Sequence, residues 1–245
     1  MLYGIFSDIH ANLSALEMVL RSMDARKVEK RICLGDIVGY GANPNECAAL
    51  VKKHSDFCLL GNHDSAALKR ESYSDFNVYA KAAIEWTQSV MSDSTKDYLK
   101  SLPYIIEEPN FTFVHASPVS PADWNYVALI DDAVEAFSYF STQFCLIGHT
   151  HNPVIVAVTA NSDSEIPTIS DGPLYRPRDD ERVLINVGSV GQPRDRDNRA
   201  SWCLMDSDGG WIEIVRVEYD ILATQNAMRK ENLPQFLIER LMLGR

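Results

Sequence analysis

The sequence predicts an α/β protein with two sheets packed face to face and helices outside. Three observations carry that reading. The first third alternates short apolar runs with amphipathic repeats, strand-helix-strand-helix-strand, the signature of parallel β-α-β units. The later part is richer in strands, which are expected to be antiparallel. Five of the apolar runs stop abruptly at a polar cluster. The whole chain, 1–245, reads as one domain, with residues 159–182 as an excursion from the sheet and a flap.

In order, Leu2 to Phe6 is a strand that runs into Ser7-Asp8-Ile9-His10-Ala11-Asn12. Leu13, Leu16, Val19, Leu20 and Met23 recur at helical spacing, and Asn12 is placed to cap that helix. Arg31 to Leu34 is the second strand, closed by Gly35-Asp36 and a glycine-containing loop. Pro44 opens the next helix, with Cys47, Leu50 and Val51 inward. Asp56 to Leu60 is the third strand. It ends in Gly61-Asn62-His63-Asp64, read as a turn because Asn, His and Asp are poor helix and strand formers.

Helices are expected at 66–68, 76–91 and 94–101. Ile105-Ile106 and Phe111 to Val114 form a hairpin that leads into His115. A helix over 131–140 and a strand over 144–147 follow, the strand closed by Gly148-His149-Thr150-His151. Strands are expected at 154–158 and 183–187, then a hairpin of 201–205 with 211–217 around Asp208-Gly209-Gly210, then two helices at about 220–230 and 234–243. The last helix carries Phe236, Leu237, Leu241 and Leu243, a stripe suited to a packed helix or to a dimer surface.

Composition narrows the function. The net charge of −11 argues against gripping a nucleic-acid backbone, yet leaves room for a phosphorylated substrate if metal ions supply local positive charge. Five widely spaced cysteines without a C-x-x-C pair read as reduced, mostly buried thiols of a cytoplasmic protein. No run of 18 apolar residues is present, so no membrane partner is expected.

The polar clusters collect Asp8, His10, Asp36, Asn62, His63, His115, His149 and His151 at strand exits. Five of the six histidines are among them, and only His54 lies elsewhere, on a helix end. In parallel sheets such exits share one edge, where sites form. Carboxylate, imidazole and amide donors without thiolate suit Mn²⁺, Fe or Zn²⁺. Eight donors are too many for one ion, and two ions about 3.5–4 Å apart need a bridging ligand, which a carboxylate can be.

Asp8-Ile-His10, Gly35-Asp36-Ile-Val-Gly39, Gly61-Asn62-His63-Asp64, His115 and Gly148-His149-Thr-His151 resemble, in order, the motifs of the calcineurin-like metallophosphoesterases. The resemblance implies a four-layer α/β/β/α sandwich of two mixed sheets flanked by helices, and a dinuclear metal site. It implies that Asp8, His10, Asp36 and His151 hold one ion, and that Asp36, Asn62, His115 and His149 hold the other, with Asp36 bridging. Two ions are implied, Mn²⁺ first, with Fe, Zn²⁺, Ni²⁺ or Mg²⁺ as alternatives. A metal-bridging hydroxide would attack phosphorus, and His63 would protonate the leaving alkoxide. Asp64 would orient His63 or cap the turn.

Residues 35–46 and 186–195 resemble the small prokaryotic branch of phosphodiesterases and diadenosine-tetraphosphatase-related enzymes. Arg194 is a candidate substrate-phosphate contact, or a surface arginine paired with Asp195 or Asp197. Asn12 is a candidate anion anchor or a plain cap, and Tyr40 and Tyr126 are candidate stacking surfaces for a nucleoside. The expected partner is a small phosphorylated substrate, dinucleotides included, with no nucleic acid and with a homo-oligomer left open. The alternatives are a non-catalytic metal-binding scaffold on the same fold, a protein or monoester phosphatase, and a nuclease.

Overall fold

In a computed structural model of the chain, the described residues are 1–70, 73, 74, 76–159, 168–170, 172 and 174–245. Two six-stranded mixed sheets face one another. The first is ordered β3(Phe57–Cys58), β2(Lys30–Cys33), β1(Leu2–Phe6), β11(Ala200–Asp206), β12(Trp211–Val217), β9(Leu174–Tyr175). The second is ordered β4(Ile105–Glu108), β5(Phe111–Val114), β6(Phe144–Ile147), β10(Glu181–Asn186), β7(Val154–Thr159), β8(Thr168–Ser170).

Strand alternation builds the layers. Tyr3, Ile5, Ile32, Leu34 and Leu59 meet Phe111, Phe113, Phe144, Leu146 and Ile185 between the sheets. Their neighbours Phe6, Cys33, Cys58 and Trp202 point the other way, beneath α1(Leu13–Ala25) and α2(Pro44–His54). Val114, Cys145, Ile147 and Leu184 lie under α6(Ile130–Ala136). The result is the expected four-layer α/β/β/α sandwich. Each large side chain sealed in these layers is worth about 1.5–3 kcal/mol. All five cysteines are buried and free of disulfides.

β1, β2 and β3 are mutually parallel, as expected. The second sheet is mixed, as the resemblance implies: β5, β6 and β10 are parallel to one another, where the strand pattern alone suggested antiparallel pairing. The crossover through α6 permits the β5–β6 pairing, and antiparallel β7 returns the chain for β10. The carboxyl ends of β1, β2, β3, β5, β6 and β10 carry the polar clusters.

Two further differences are local. Asn62–Ala67 is a short helix, α3, where a turn was expected. Asp64 Oδ2 accepts from Gly61 N at 3.1 Å, so the acidic residue caps the helix start and overrides poor propensity. Within 159–182, β8 edges the second sheet and β9 edges the first, while residues 160–167, 171 and 173 lie outside the described residues. α4(Val78–Val90), α5(Asp93–Lys100), α7(Ile221–Lys230) and α8(Gln235–Leu243) complete the outer layers. In α8, Leu237 and Leu241 are buried, whereas Phe236 and Leu243 are exposed.

Candidate functional site

The strand exits are tied together before any side chain acts. Asp8 N donates to Gly35 O, His10 N to Asp36 O and Ala11 N to Ile37 O, at 2.8–3.0 Å, so the β1 and β2 exits run as one backbone ladder. Val190 N and Gly191 N donate to Ser7 O and Asp8 O, bringing the exit of β10 alongside. Asp8, His10, Asp36, His149 and His151 all have φ between 49° and 67°. Non-glycine residues adopt that left-handed region at a cost of about 1–2 kcal/mol each, and the surrounding ladders hold them there.

These bonds bring eight predicted donors into one buried cluster. Asp8, His10, Asp36, His115 and His151 are at most 2% exposed, and Asn62, His63 and His149 at most 8%. Among the described residues, three groups place ligand atoms within 4.8 Å of one another: Asp8–His10–His151, His10–Asp36–His63 and Asp36–His115–His149. Asp36 Oδ2 lies 3.6 Å from His10 Nε2 and 3.5 Å from His115 Nε2, between the first group and the last. Its Oδ1 accepts from His63 N at 2.8 Å.

The tautomers follow from the partners. His10 Nδ1 meets Val38 O at 3.2 Å, His115 Nδ1 meets Leu34 O at 3.0 Å and His151 Nδ1 meets Gln192 O at 2.6 Å. A carbonyl only accepts, so each Nδ1 donates and, in the neutral ring, each Nε2 presents a lone pair inward. His10 Nε2 and His151 Nε2 then face each other at 3.1 Å, with Asp8 Oδ1 at 3.2 Å from the latter. His115 Nε2 faces Asn62 Oδ1 at 3.2 Å. Asp8 Oδ1 and His149 Nε2 are buried without a hydrogen-bond partner among the described residues. Acceptors converging on acceptors in a dry pocket require protons or cations between them, and this donor set fits divalent metal ions.

The ionisation equilibria show the same crowding. Burial pushes the Asp8 carboxyl up, but His151 and His115 outweigh it and hold it below its ordinary range. Asp36 is also well below its ordinary range: burial opposes ionisation, and His115, His63 and His10 overcome it. Burial lowers His115, yet Asp36, Asp8 and Asp64 raise it to about 9. Burial is the largest influence on His63 and His149; with neighbouring positive groups it brings them down to about 4 and about 3. His10 and His151 are lowered, chiefly by burial.

The remaining predicted residues surround this cluster. Among the described residues His63 Nδ1 is buried without a partner, and its ring packs 4.4 Å from Tyr40 and 4.8 Å from Phe76. Asp64 does not bond the His63 ring: Oδ1 accepts from Val38 N at 3.0 Å and Oδ2 from Gly61 N. That geometry is the turn-capping half of the expectation. Burial and Asp36 raise its carboxyl to about 7 against these backbone donors. Asn12 caps α1 through Ala15 N, donates to Gly191 O at 2.9 Å and accepts from Thr224 Oγ1 at 2.9 Å, so both polar atoms have protein partners.

Arg194 is not paired with Asp195 or Asp197. Asp195 pairs with Arg216, and Asp197 pairs with Arg199 at 2.6 Å. Arg194 Nη2 reaches Gln192 Oε1 at 2.9 Å and Tyr40 Oη at 3.4 Å, and its Nε is buried without a partner among the described residues. Tyr40 is only 6% exposed and is packed against His10 and His63, so it offers no open stacking face.

Sequence reasoning overlooked Gln192, which is 1% exposed. Its carbonyl sets the His151 tautomer and its amide oxygen holds Arg194. A glutamine between Gly191 and Pro193, just after a strand exit, was the available signal. The carbonyls of Leu34 and Val38 had none, because backbone atoms carry no residue identity.

A buried pocket of inward-facing acceptors at the ends of parallel strands defines a metal-binding site of the phosphoesterase kind. The sequence profile of the calcineurin-like phosphoesterase superfamily domain matches residues 1–210, and the chain belongs to that superfamily. The crystal structure of a metallophosphoesterase from Sphaerobacter thermophilus superposes with a TM-score of 0.87 at 39% identity, covering 100% of this chain and 99% of that one. An uncharacterized protein of Methanocaldococcus jannaschii is 44% identical over 99% of this chain and 98% of its own length. A symmetrical bis(5'-nucleosyl)-tetraphosphatase of Actinobacillus pleuropneumoniae is 30% identical over 54% of this chain and 50% of its own length. No helix among the described residues is long and apolar enough to cross a membrane.

Proposed function

We propose that the chain is a divalent-metal-dependent hydrolase of phosphodiester or dinucleoside polyphosphate bonds. The observation that supports this most is the convergence of buried carboxylate and imidazole groups around Asp36 Oδ2, which sits between two groups of ligand atoms. Asp8, His10, Asp36 and His151 would hold one ion. Asp36, Asn62, His115 and His149 would hold the second, with Asp36 shared. When bound, such ions, with Mn²⁺ the first to try, supply Lewis-acid stabilisation of phosphoryl charge and an acidified water.

The chain's own residues do the rest. The carbonyls of Val38, Leu34 and Gln192 fix three imidazoles with Nε2 inward, so no reorientation is needed when ions and substrate arrive. Arg194, with its unmet Nε, contacts a substrate phosphate oxygen. His63 is the proton donor to the departing oxygen. Its low proton affinity in the free site rises when an anionic phosphoryl group arrives beside it. Asp64 holds the Gly61 turn that aims His63.

The test is turnover by metal-stripped protein supplemented with Mn²⁺ on bis(p-nitrophenyl) phosphate, p-nitrophenyl phosphate and diadenosine tetraphosphate, side by side. Metal-dependent turnover is expected, with the diester or the dinucleotide preferred over the monoester. Protein that binds two ions yet turns over none of the three would overturn the hydrolase reading in favour of a metal-binding scaffold.

A further inference from the structure

Tyr126 is 58% exposed, yet its ring lies 4.1 Å from the imidazole of His149 with 32° between the planes. One face of the phenol is therefore covered by a site histidine, and the opposite face is open to solvent. Tyr139, also about half exposed at 54%, has no ring partner among the described residues.

The position is fixed from both sides. Val127, the next residue, is buried against α6, and Ala128 N and Leu129 N donate to Asp132 Oδ2 at 3.0 and 2.8 Å. Asn125 Nδ2 donates to Val119 O at 3.3 Å. The phenol hydroxyl makes no hydrogen bond among the described residues, so polar bonding does not explain why the ring stands there. Its pKa is raised, first by partial burial and then by Asp36 and Asp8 acting against Arg194, so all three groups lie within electrostatic reach. The ring thus forms one wall of the site mouth.

We propose that Tyr126 is a stacking platform for the base of a nucleoside phosphate whose phosphoryl group sits at His149 and Asp36. This rests on the phosphoesterase reading and narrows it to substrates carrying a planar base. A flat, open π-face suits any base, and such stacking is sequence-tolerant. The 4.1 Å contact with His149 puts the ring within reach of a nucleoside whose phosphate lies beside that imidazole. Tyr40, the other candidate, is enclosed and cannot serve.

The test uses calorimetric titration of the full chain loaded with Mn²⁺. The ligands are adenosine 5'-monophosphate and ribose 5-phosphate, which share the sugar and phosphate and differ by the base. Adenosine monophosphate is expected to bind about tenfold or more tightly, matching the worth of one stacked base. Tyr126→Ala should erase that preference while leaving ribose 5-phosphate affinity and the melting temperature unchanged. Tyr126→Phe should retain the preference, since the hydroxyl is not used. Equal affinities in the wild type, or a preference that survives Tyr126→Ala, overturn the platform alone. Failure of both phosphates to bind the metal-loaded protein overturns the platform and the phosphoesterase reading together.

Discussion

His63 contrasts with its neighbours. Three imidazoles of the cluster are pinned by carbonyls, whereas His63 Nδ1 has no partner among the described residues and its ring is held by Tyr40 and Phe76. A histidine positioned by packing can exchange a proton without breaking a bond to the protein. His63→Ala should therefore lower kcat on an alkyl phosphodiester by about 10²–10⁴, the range for a positioned acid. On bis(p-nitrophenyl) phosphate, whose leaving group needs little protonation, the loss should be much smaller, with bound metal unchanged. Equal losses on the two substrates would remove His63 from the donor role. The chemical types of these residues were legible in the sequence, because aspartates, histidines and an asparagine recur at strand exits. Their protonation was not. It is set by carbonyls of Leu34, Val38 and Gln192, which any residue would supply, and by Asp64 turning toward Val38 N instead of the His63 ring.

Among the elements, the turn after β10 is the one on which the site leans. Gly191 N donates to Asp8 O, and a Cβ on Gly191 would lie 1.8 Å from Ile9 O and 3.1 Å from Asn12 Cβ. The obstacle is backbone and cannot swing aside. Gly191→Ala should cost about 1–3 kcal/mol by overpacking in urea denaturation, and should lower metal affinity by displacing Asp8. Gly210→Ala provides the control: φ is +63° with nothing within 4 Å of a new Cβ, so only left-handed strain of about 1–2 kcal/mol applies, with no loss of metal. Comparable metal loss in both variants would sink the claim. The turn's proximity to the site was legible as a glycine-rich stretch after a strand. Its docking partner was not, because residues 8 and 191 meet where the exit of β1 in the first sheet and the exit of β10 in the second come together. The parallel pairing of β5, β6 and β10 was not legible in the strand pattern because a fully buried strand has the same apolar run in either direction. The helical start at Asn62 was missed for a different reason, since Asp64 supplies a cap that residue propensities do not count.

At the scale of the whole molecule, one rim gathers enough shifted groups to shape stability against pH. In the metal-free protein, His63 and His149 titrate at about 4 and about 3 when folded, against about 6.5 when unfolded. Between those values the unfolded chain binds more protons, so stability falls as pH drops below about 6.5. Lowered His10 and His151, and the depressed carboxyls Asp8 and Asp36, act in the same direction. His115 and Asp64 do the opposite. Their folded values of about 9 and about 7 exceed the unfolded ones, so their contribution is complete at low pH and is lost as pH rises through about 7 and then about 9. The stripped protein should therefore be most stable near pH 6.5 and weaken on both sides. On the proposed reading a divalent ion would take the place of the proton on His115, so loading with Mn²⁺ should abolish the alkaline decline and raise the melting temperature most above pH 7. Melting curves of stripped and loaded protein from pH 4 to 9 would show this. If the stripped protein gains stability steadily up to pH 9, then His115 does not carry the extra proton, and the acceptors around Asp36 are relieved in some other way.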